Sequence, residues 1–382
     1  MASASPTRIS WRIRCGPNDK PSGLMATGNR YCVIMAGGIG SRFWPASRRR
    51  LPKQFLDILG TGKSFIRHTF ERFAPLIPAE HFLVVTNAAY RQLVLEQLPE
   101  LQPEQVLCEP VGRNTAPCIA YAAFRLGALQ PESTMVVAPS DHFIFDEEEF
   151  RRNITSCMEF AEARDALVTI GIRPSRPDTG YGYIQTAAAG EISPVASFRE
   201  KPDLKTAMSY LAAGSYLWNA GIFIWSTRSI LAALERHLPE LYGLFAQRAA
   251  AFATPDERQA VEEIYARCPS ISIDYGVLER ADNVFVRGSD FGWNDVGTWG
   301  SLYELSAKDA DGNVTPSFSK LYDTSGCLVK TASAEKVVVV DSLHDFIVVD
   351  TPDALLLCPR SREQHIKQVL EELTPLDNGR FV

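Results

Sequence analysis

Gly37, Gly38 and Gly40 crowd into the segment Ala36-Gly37-Gly38-Ile39-Gly40-Ser41-Arg42, and Lys53 follows in Leu51-Pro52-Lys53. An apolar run over 31–35 precedes them and reads as a short buried strand. Glycines at the end of such a strand let the backbone turn sharply and approach a ligand closely. Backbone N–H groups, the Ser41 hydroxyl and the fixed charges of Arg42 and Lys53 then make a cradle suited to a polyphosphate. The basic run Arg48-Arg49-Arg50 is assigned to the same loop. This is not a Walker A loop: Gly62-Lys63-Ser64 has Asp57 where that motif needs its first glycine. The segment 60–64 reads instead as a turn, with Ser64 as N-cap of a helix over 65–73. A dinucleotide-binding fingerprint fails as well, because Phe43 stands where its third glycine belongs.

Two aspartates are the next candidates. Asp141 follows the apolar run Met135-Val136-Val137-Ala138, and Asp295 lies between Gly292 and Gly297. Each alone reads as a turn-forming or N-capping residue. Beside a polyphosphate cradle, two hard carboxylate ligands suit Mg²⁺. His142 reads as a loop histidine satisfied by a neighbour, not as a base. Glu200 and Lys201 stand before Pro202, a position that favours extended backbone and would point the two side chains to opposite sides. From residue types alone they form a surface charge cluster. Gly182, in Tyr181-Gly182-Tyr183-Ile184, would let backbone meet a ligand, and Asn219, in Trp218-Asn219-Ala220-Gly221, offers donors and acceptors to hydroxyl groups. The aromatic residues around both serve equally well as core packing.

Strand-like runs over 31–35, 81–86, 134–138 and 166–171 alternate with helical patterns over 64–73, 91–97, 118–128 and 147–163. That alternation predicts an α/β fold, a Rossmann-like, mostly parallel mixed sheet with helices on both faces. Ligands in such folds lie at the carboxyl ends of strands, where the glycine loop and Asp141 fall. The pattern is more mixed over 219–286. Beyond Trp299 the character changes to short apolar runs between turns: Cys327-Leu328-Val329, Val337 to Val340, Phe346 to Val349 and Leu355 to Leu357. These predict a small all-β, left-handed β-helix-like unit, closed by an amphipathic helix over 362–373. The expected division is a disordered extension over 1–28, with Met25 as an alternative start, a catalytic domain over 29–305 and the β unit over 306–382. The β unit is expected to support assembly and not chemistry.

The 382 residues carry a net charge of −6, which gives no electrostatic footprint for nucleic acid. Eight cysteines are scattered without a Cys-x-x-Cys pair, as in reduced proteins. No apolar run approaches the ~20 residues that span a bilayer, and residues 1–25 lack the apolar core of a secretory signal. A cytoplasmic protein with no membrane partner is expected.

Six segments in order carry a resemblance: Gly37 to Lys53, Glu109-Pro110-Val111-Gly112-Arg113-Asn114-Thr115-Ala116-Pro117, Ala138 to His142, Phe198 to Pro202, Trp218 to Gly221 and Trp293 to Gly297. From about residue 30 onward the chain resembles the sugar-1-phosphate nucleotidyltransferases, and among them the mannose-1-phosphate guanylyltransferase family. The resemblance implies transfer of GMP from GTP to mannose 1-phosphate, with Mg²⁺ as cofactor and a homo-oligomer, a dimer being favoured. It implies that Arg42 and Lys53 hold the triphosphate, that Asp141 and Asp295 hold Mg²⁺, and that Gly37, Gly38, Gly40, Ser41, Glu109, Pro110 and Asn114 bind the nucleotide. Gly182, Glu200, Lys201 and Asn219 would hold the sugar phosphate. Bifunctional relatives carry a further isomerase domain, and isomerase activity is not expected here. Other sugars or bases, or a non-catalytic regulatory or scaffold subunit of the same fold, are the alternatives. The latter would be expected to lose the phosphate and metal residues present here.

Overall fold

The computed structural model describes residues 29–188, 190–333 and 335–382. The extension expected over 1–28 lies outside the described residues. The first eleven strands are β1 Arg30–Ala36, β2 Phe82–Asn87, β3 Val106–Glu109, β4 Thr134–Pro139, β5 Phe143–Ile144, β6 Leu167–Ile172, β7 Tyr183–Thr186, β8 Ile192–Arg199, β9 Tyr216–Ser226, β10 Val284–Ser289 and β11 Trp293–Asn294. Nine of them form one sheet in the order β3-β2-β1-β4-β9-β6-β10-β8-β7, with an additional β9–β7 pairing.

The half containing β3, β2, β1 and β4 is parallel. Helices Phe65–Phe73, Arg91–Gln97 and Thr115–Leu129 supply the crossovers that parallel pairing requires. These strands are near-continuous apolar runs because both sheet faces are covered. Val33, Val85 and Val137 face the helices Thr115–Leu129 and Thr227–His237, while Ile34, Val84 and Val136 face Phe65–Phe73 and Glu147–Glu162. The sheet turns mixed at the long strand β9, which runs antiparallel to both β4 and β6. Strands β1 and β4 end at the glycine loop and at Ser140-Asp141. A small ribbon of β5 and β11, with Trp293 opposite Ile144 and Asn294 opposite Phe143, draws the Asp295 loop against the Asp141 loop.

Ser64 occupies the N-cap position of Phe65–Phe73 but makes no capping bond. Its hydroxyl donates to Gln97 Oε1 instead (2.5 Å). The preceding turn is held by Asp57, whose carboxylate accepts from the Thr61 and Gly62 amides. No helix among the described residues is long and apolar enough to cross a membrane, and the seven described cysteines are free thiols.

The C-terminal unit contains β12 Ser319–Tyr322, β13 Leu328–Lys330, β14 Val338–Asp341, β15 Phe346–Asp350 and β16 Leu355–Pro359. Three parallel pairings share an offset of 19 residues, Ser319 with Val338, Ser325 with His344 and Leu328 with Ile347, while Val314 pairs with Leu328 at an offset of 14. Parallel pairing that recurs along the chain is the signature of a β-helical coil. Its interior holds Leu328, Val329, Ile347 and Val349, whereas Val337 and Val339 are exposed, so only part of the expected apolar surface is buried. Helix Ile366–Leu373 closes the unit. A third core cluster joins Phe43 and Trp44 of the glycine loop, Val296 of the Asp295 loop, and Leu328, Ile347 and Ile366 of the β unit.

Candidate active site

The glycine loop is held by its carbonyls. Gln54 Nε2 donates to the Ala36 and Gly38 carbonyls, Thr86 Oγ1 to Ala36, and the Lys53 amide to Ile39. The amides of Gly38, Ile39 and Gly40 find no acceptor among the described residues. They lie at the surface as a row of unspent donors, which suits an anion. Gly40 has φ +71°, and a side chain there would collide with Lys53, so backbone strain and crowding both require glycine.

Lys53 is buried, and its ammonium donates to Asp141 Oδ2 (2.9 Å), the Asp141 carbonyl (3.1 Å) and the Asp295 carbonyl (2.9 Å). All three of its protons are thus engaged by the two acidic loops. Burial works against charge on Asp141, but Lys53 and then His142 hold its carboxyl below the usual range. Asp295 Oδ1 accepts from the Tyr181 hydroxyl (2.8 Å) and the Gly297 amide (3.1 Å). Asp141 Oδ1 and Asp295 Oδ2 remain without a hydrogen-bond partner among the described residues. One cavity of about 330 Å³ is lined by Gly40, Ser41, Arg42, Lys53, Asp141 and Asp295. No cluster of three or more metal-ligating side chains occurs among the described residues. Two carboxylates with one open oxygen each fit a hard divalent cation that completes its shell with substrate phosphates and water.

His142 Nδ1 accepts from Trp293 Nε1 (3.2 Å), and burial pushes its pKa down to about 4 despite the nearby carboxylates. It is a neutral, satisfied loop residue. Arg48 and Arg50 do not face the phosphate cradle as expected. Both pair with Asp353 of the C-terminal unit, and Arg48 also donates to the Pro45 carbonyl.

Away from that cavity, Gly182, Glu200 and Asn219 converge. A side chain at Gly182 would begin 2.5 Å from Glu200 Oε2 and 3.3 Å from Asn219 Cβ. Asn219 Oδ1 accepts from Thr169 and the Gly221 amide, and its Nδ2 donates to Asp274 Oδ1 (2.8 Å). Lys201 overturns its expected geometry. Its φ is +45°, not extended, and its ammonium folds back onto Glu200 Oε1 (2.7 Å). The strand β8 has already ended at Arg199, so the Lys201 amide bonds the Tyr181 carbonyl, and that bond outweighs the pre-proline preference. Glu200 Oε2 is buried with no donor. Burial and then the Glu200 charge push the Asp274 carboxyl upward.

Glu109 ends β3 facing Gly37 and accepts from the Tyr265 hydroxyl (2.8 Å); burial raises its pKa to about 7. Pro110 is exposed beside it. Asn114 has φ +70° and caps the helix Thr115–Leu129 through its side-chain oxygen. Of seven described non-glycine residues with positive φ, three, Asn114, Lys201 and Val296, fall in the motif segments, as strained backbone tends to cluster at functional sites.

Gln54, Tyr181 as an Asp295 partner and Asp274 escaped the sequence reading. Asp274 carried a signal: it is a lone acid in Ile271-Ser272-Ile273-Asp274-Tyr275, at the start of a π-helical turn, Asp274–Leu278. Trp218, Tyr183 and Phe223 are core residues, whereas Tyr181 faces the site.

The pattern of the nucleotidyl transferase family matches residues 31–312, and that of the MannoseP isomerase/GMP-like β-helix domain matches 321–373. The chain is 40% identical over 361 residues to a mannose-1-phosphate guanylyltransferase of Escherichia coli (strain K12), covering 91% of this chain and 74% of that one. It is 37% identical over 348 residues to the alginate biosynthesis protein AlgA of Pseudomonas aeruginosa, covering 89% and 71%. The crystal structure of a mannose-1-phosphate geranyltransferase from Thermus thermophilus superposes with a TM-score of 0.81 at 32% identity, over 90% of this chain and 99% of that one.

Proposed function

The chain belongs to the nucleotidyl transferase family, among the mannose-1-phosphate guanylyltransferases, and we propose that it transfers GMP from GTP to α-D-mannose 1-phosphate. A phosphate oxygen of the sugar attacks the α-phosphorus in line. The new P–O bond gives GDP-mannose, and the bond to the β-phosphate breaks to release pyrophosphate. The observation that supports this reading most is the meeting of the glycine loop and its free amides with two half-committed carboxylates around one cavity.

The nucleophile is an anion at neutral pH and needs no general base, in keeping with a neutral His142. The difficulty is repulsion between two anions, and catalysis is a matter of position and charge. The amides from Gly38 to Gly40, the hydroxyl of Ser41 and the guanidinium of Arg42 receive the triphosphate, with Gly37 at the base of the loop. Lys53 holds both acidic loops in register and adds positive charge at the reacting centre. Asp141 and Asp295 hold a divalent cation, Mg²⁺ by the hardness of its ligands, which when bound neutralises and orients phosphate oxygens.

Glu200 and Asn219 receive the sugar hydroxyls, Gly182 makes room for them, and Lys201 adds charge beside the sugar phosphate. Glu109, Pro110 and Asn114 frame the base; with its oxygen committed to the helix, the Asn114 amide keeps its N–H donors for a guanine acceptor. We place the reaction in the cytoplasm, in a homo-oligomer.

Pyrophosphate release measured across GTP, ATP, UTP and dTTP against mannose 1-phosphate and glucose 1-phosphate tests this. The GTP and mannose 1-phosphate pair should be fastest. Release with no pair would leave a nucleotide-sugar-binding subunit, and another preferred pair would reassign the substrate.

A further inference from the structure

Three fixed cations line the phosphate cavity: Arg42, Lys53 and Lys367. Lys367 comes from the C-terminal unit, on the first turn of helix Ile366–Leu373. The unit expected to stand apart from the chemistry therefore contributes one side chain to the lining of this cavity. Its placement is fixed by packing. Ile366 is buried in the core cluster that contains Phe43 and Trp44. Trp44 Nε1 donates to the Phe381 carbonyl (2.7 Å), and the Arg49 amide to that of Val382 (3.3 Å). Glu363 accepts from the Gly300 amide (2.7 Å).

The charges around the cavity are unequally committed. Lys53 has given its three protons to Asp141 and Asp295, and Arg48 and Arg50 are paired with Asp353. Arg42 and Lys367 have no hydrogen bond or ion pair among the described residues. Lys367 also lines the adjoining groove with Ile39, Ser41 and Ser47, on the outer side of the glycine loop. None of Gly182, Glu200 and Asn219 lines either space.

We propose that Lys367 is a phosphate ligand, supplied by the C-terminal unit, for the part of the nucleotide that leaves as pyrophosphate. This rests on the nucleotidyl transfer proposed above. An ammonium on a mobile stem meets phosphate oxygens as a point charge without demanding one geometry. The C-terminal unit then has two tasks at this site, to brace the glycine loop and to add a cation to it.

The test uses the full chain with Lys367→Ala and Lys367→Arg. Binding of inorganic pyrophosphate with Mg²⁺ is measured by calorimetry, and KM is measured separately for GTP and mannose 1-phosphate. Lys367→Ala should weaken pyrophosphate binding about ten-fold and raise the GTP KM to match. The mannose 1-phosphate KM should stay within about two-fold and the melting midpoint unchanged, because the side chain is exposed. Lys367→Arg should restore most of the loss, and added salt should shrink the difference. Pyrophosphate affinity of Lys367→Ala within about two-fold of the wild type overturns the assignment alone. A wild-type chain that binds neither pyrophosphate nor GTP overturns both this assignment and the reading it rests on.

Discussion

At the proposed phosphate site the principal cation, Lys53, is already saturated by protein oxygens, while at the proposed sugar site Glu200 Oε2 is buried without a donor. The first arrangement fixes geometry ahead of ligand: two acidic loops from distant parts of the chain are tied to one ammonium, so carboxylates that would otherwise repel are held together. The second leaves a polar atom whose desolvation is uncompensated until a hydroxyl arrives. Preorganised charge suits the stabilisation of a transition state, and an unsatisfied acceptor suits selection of a substrate that brings the missing donor.

Substitution of Lys53 should show the largest effect. Lys53→Ala releases both loops at once and should lower kcat by about 10²–10³. It should also destabilise the fold by about 1.5–3 kcal/mol, since charged hydrogen bonds to Asp141 are lost. Steady-state kinetics and a melting curve measure the two separately, and near-wild-type turnover would remove Lys53 from the centre of the comparison.

Asp295→Asn is a cleaner cut. The new side chain can keep the oxygen that accepts from Tyr181 and Gly297 and replaces only the open one. The concentration of Mg²⁺ needed for half-maximal rate should rise about 10- to 100-fold, with little change in melting. An unchanged metal titration would make this carboxylate structural.

Glu200→Gln keeps the acceptor used by Lys201 and turns Oε2 into a donor. The KM for mannose 1-phosphate should rise about ten-fold while that for GTP holds. Equal effects on both substrates would show that the two proposed sites are not separable.

The smallest effect concerns stability and pH. The Glu109 carboxyl is raised from 4.5 to about 7 in the fold. Its contribution is fully present below 4.5 and is lost as pH rises through about 7. Glu109→Gln, which cannot ionise, should melt close to the wild type at pH 5 and a few degrees above it at pH 8, corresponding to about 2–3 kcal/mol at most. A melting difference that does not grow with pH would mean that Glu109 is not held in a desolvated site.

Elements with strong periodicity were legible. The four apolar runs over 31–35, 81–86, 134–138 and 166–171 are β1, β2, β4 and β6, and the helix over 91–97 keeps its bounds. Strand β8 was not legible, because Ile192–Arg199 carries Pro194 and two serines and pairs near the sheet edge. Strand β12 was missed because Ser319–Tyr322 has no apolar run and recruits its partner through the 19-residue offset. The apolar runs of the β unit did become strands, but their facing was not legible, and Val337 and Val339 point outward.

The sequence by itself determined the chemistry on offer: a glycine loop after a buried strand, acids at strand ends, and six segments in the order of one enzyme family. Such features are local, set by backbone freedom at glycine, by apolar periodicity and by residue type. Tertiary structure alone decided how the charges are spent. Lys53 is committed to Asp141 and to the Asp295 backbone, Arg48 to Asp353, Lys201 is bent back onto Glu200, and Lys367 is brought from the far end of the chain to the glycine loop. Coulomb interactions fall with distance and solvent exposure, and both are fixed only when loops remote in sequence pack on a shared core.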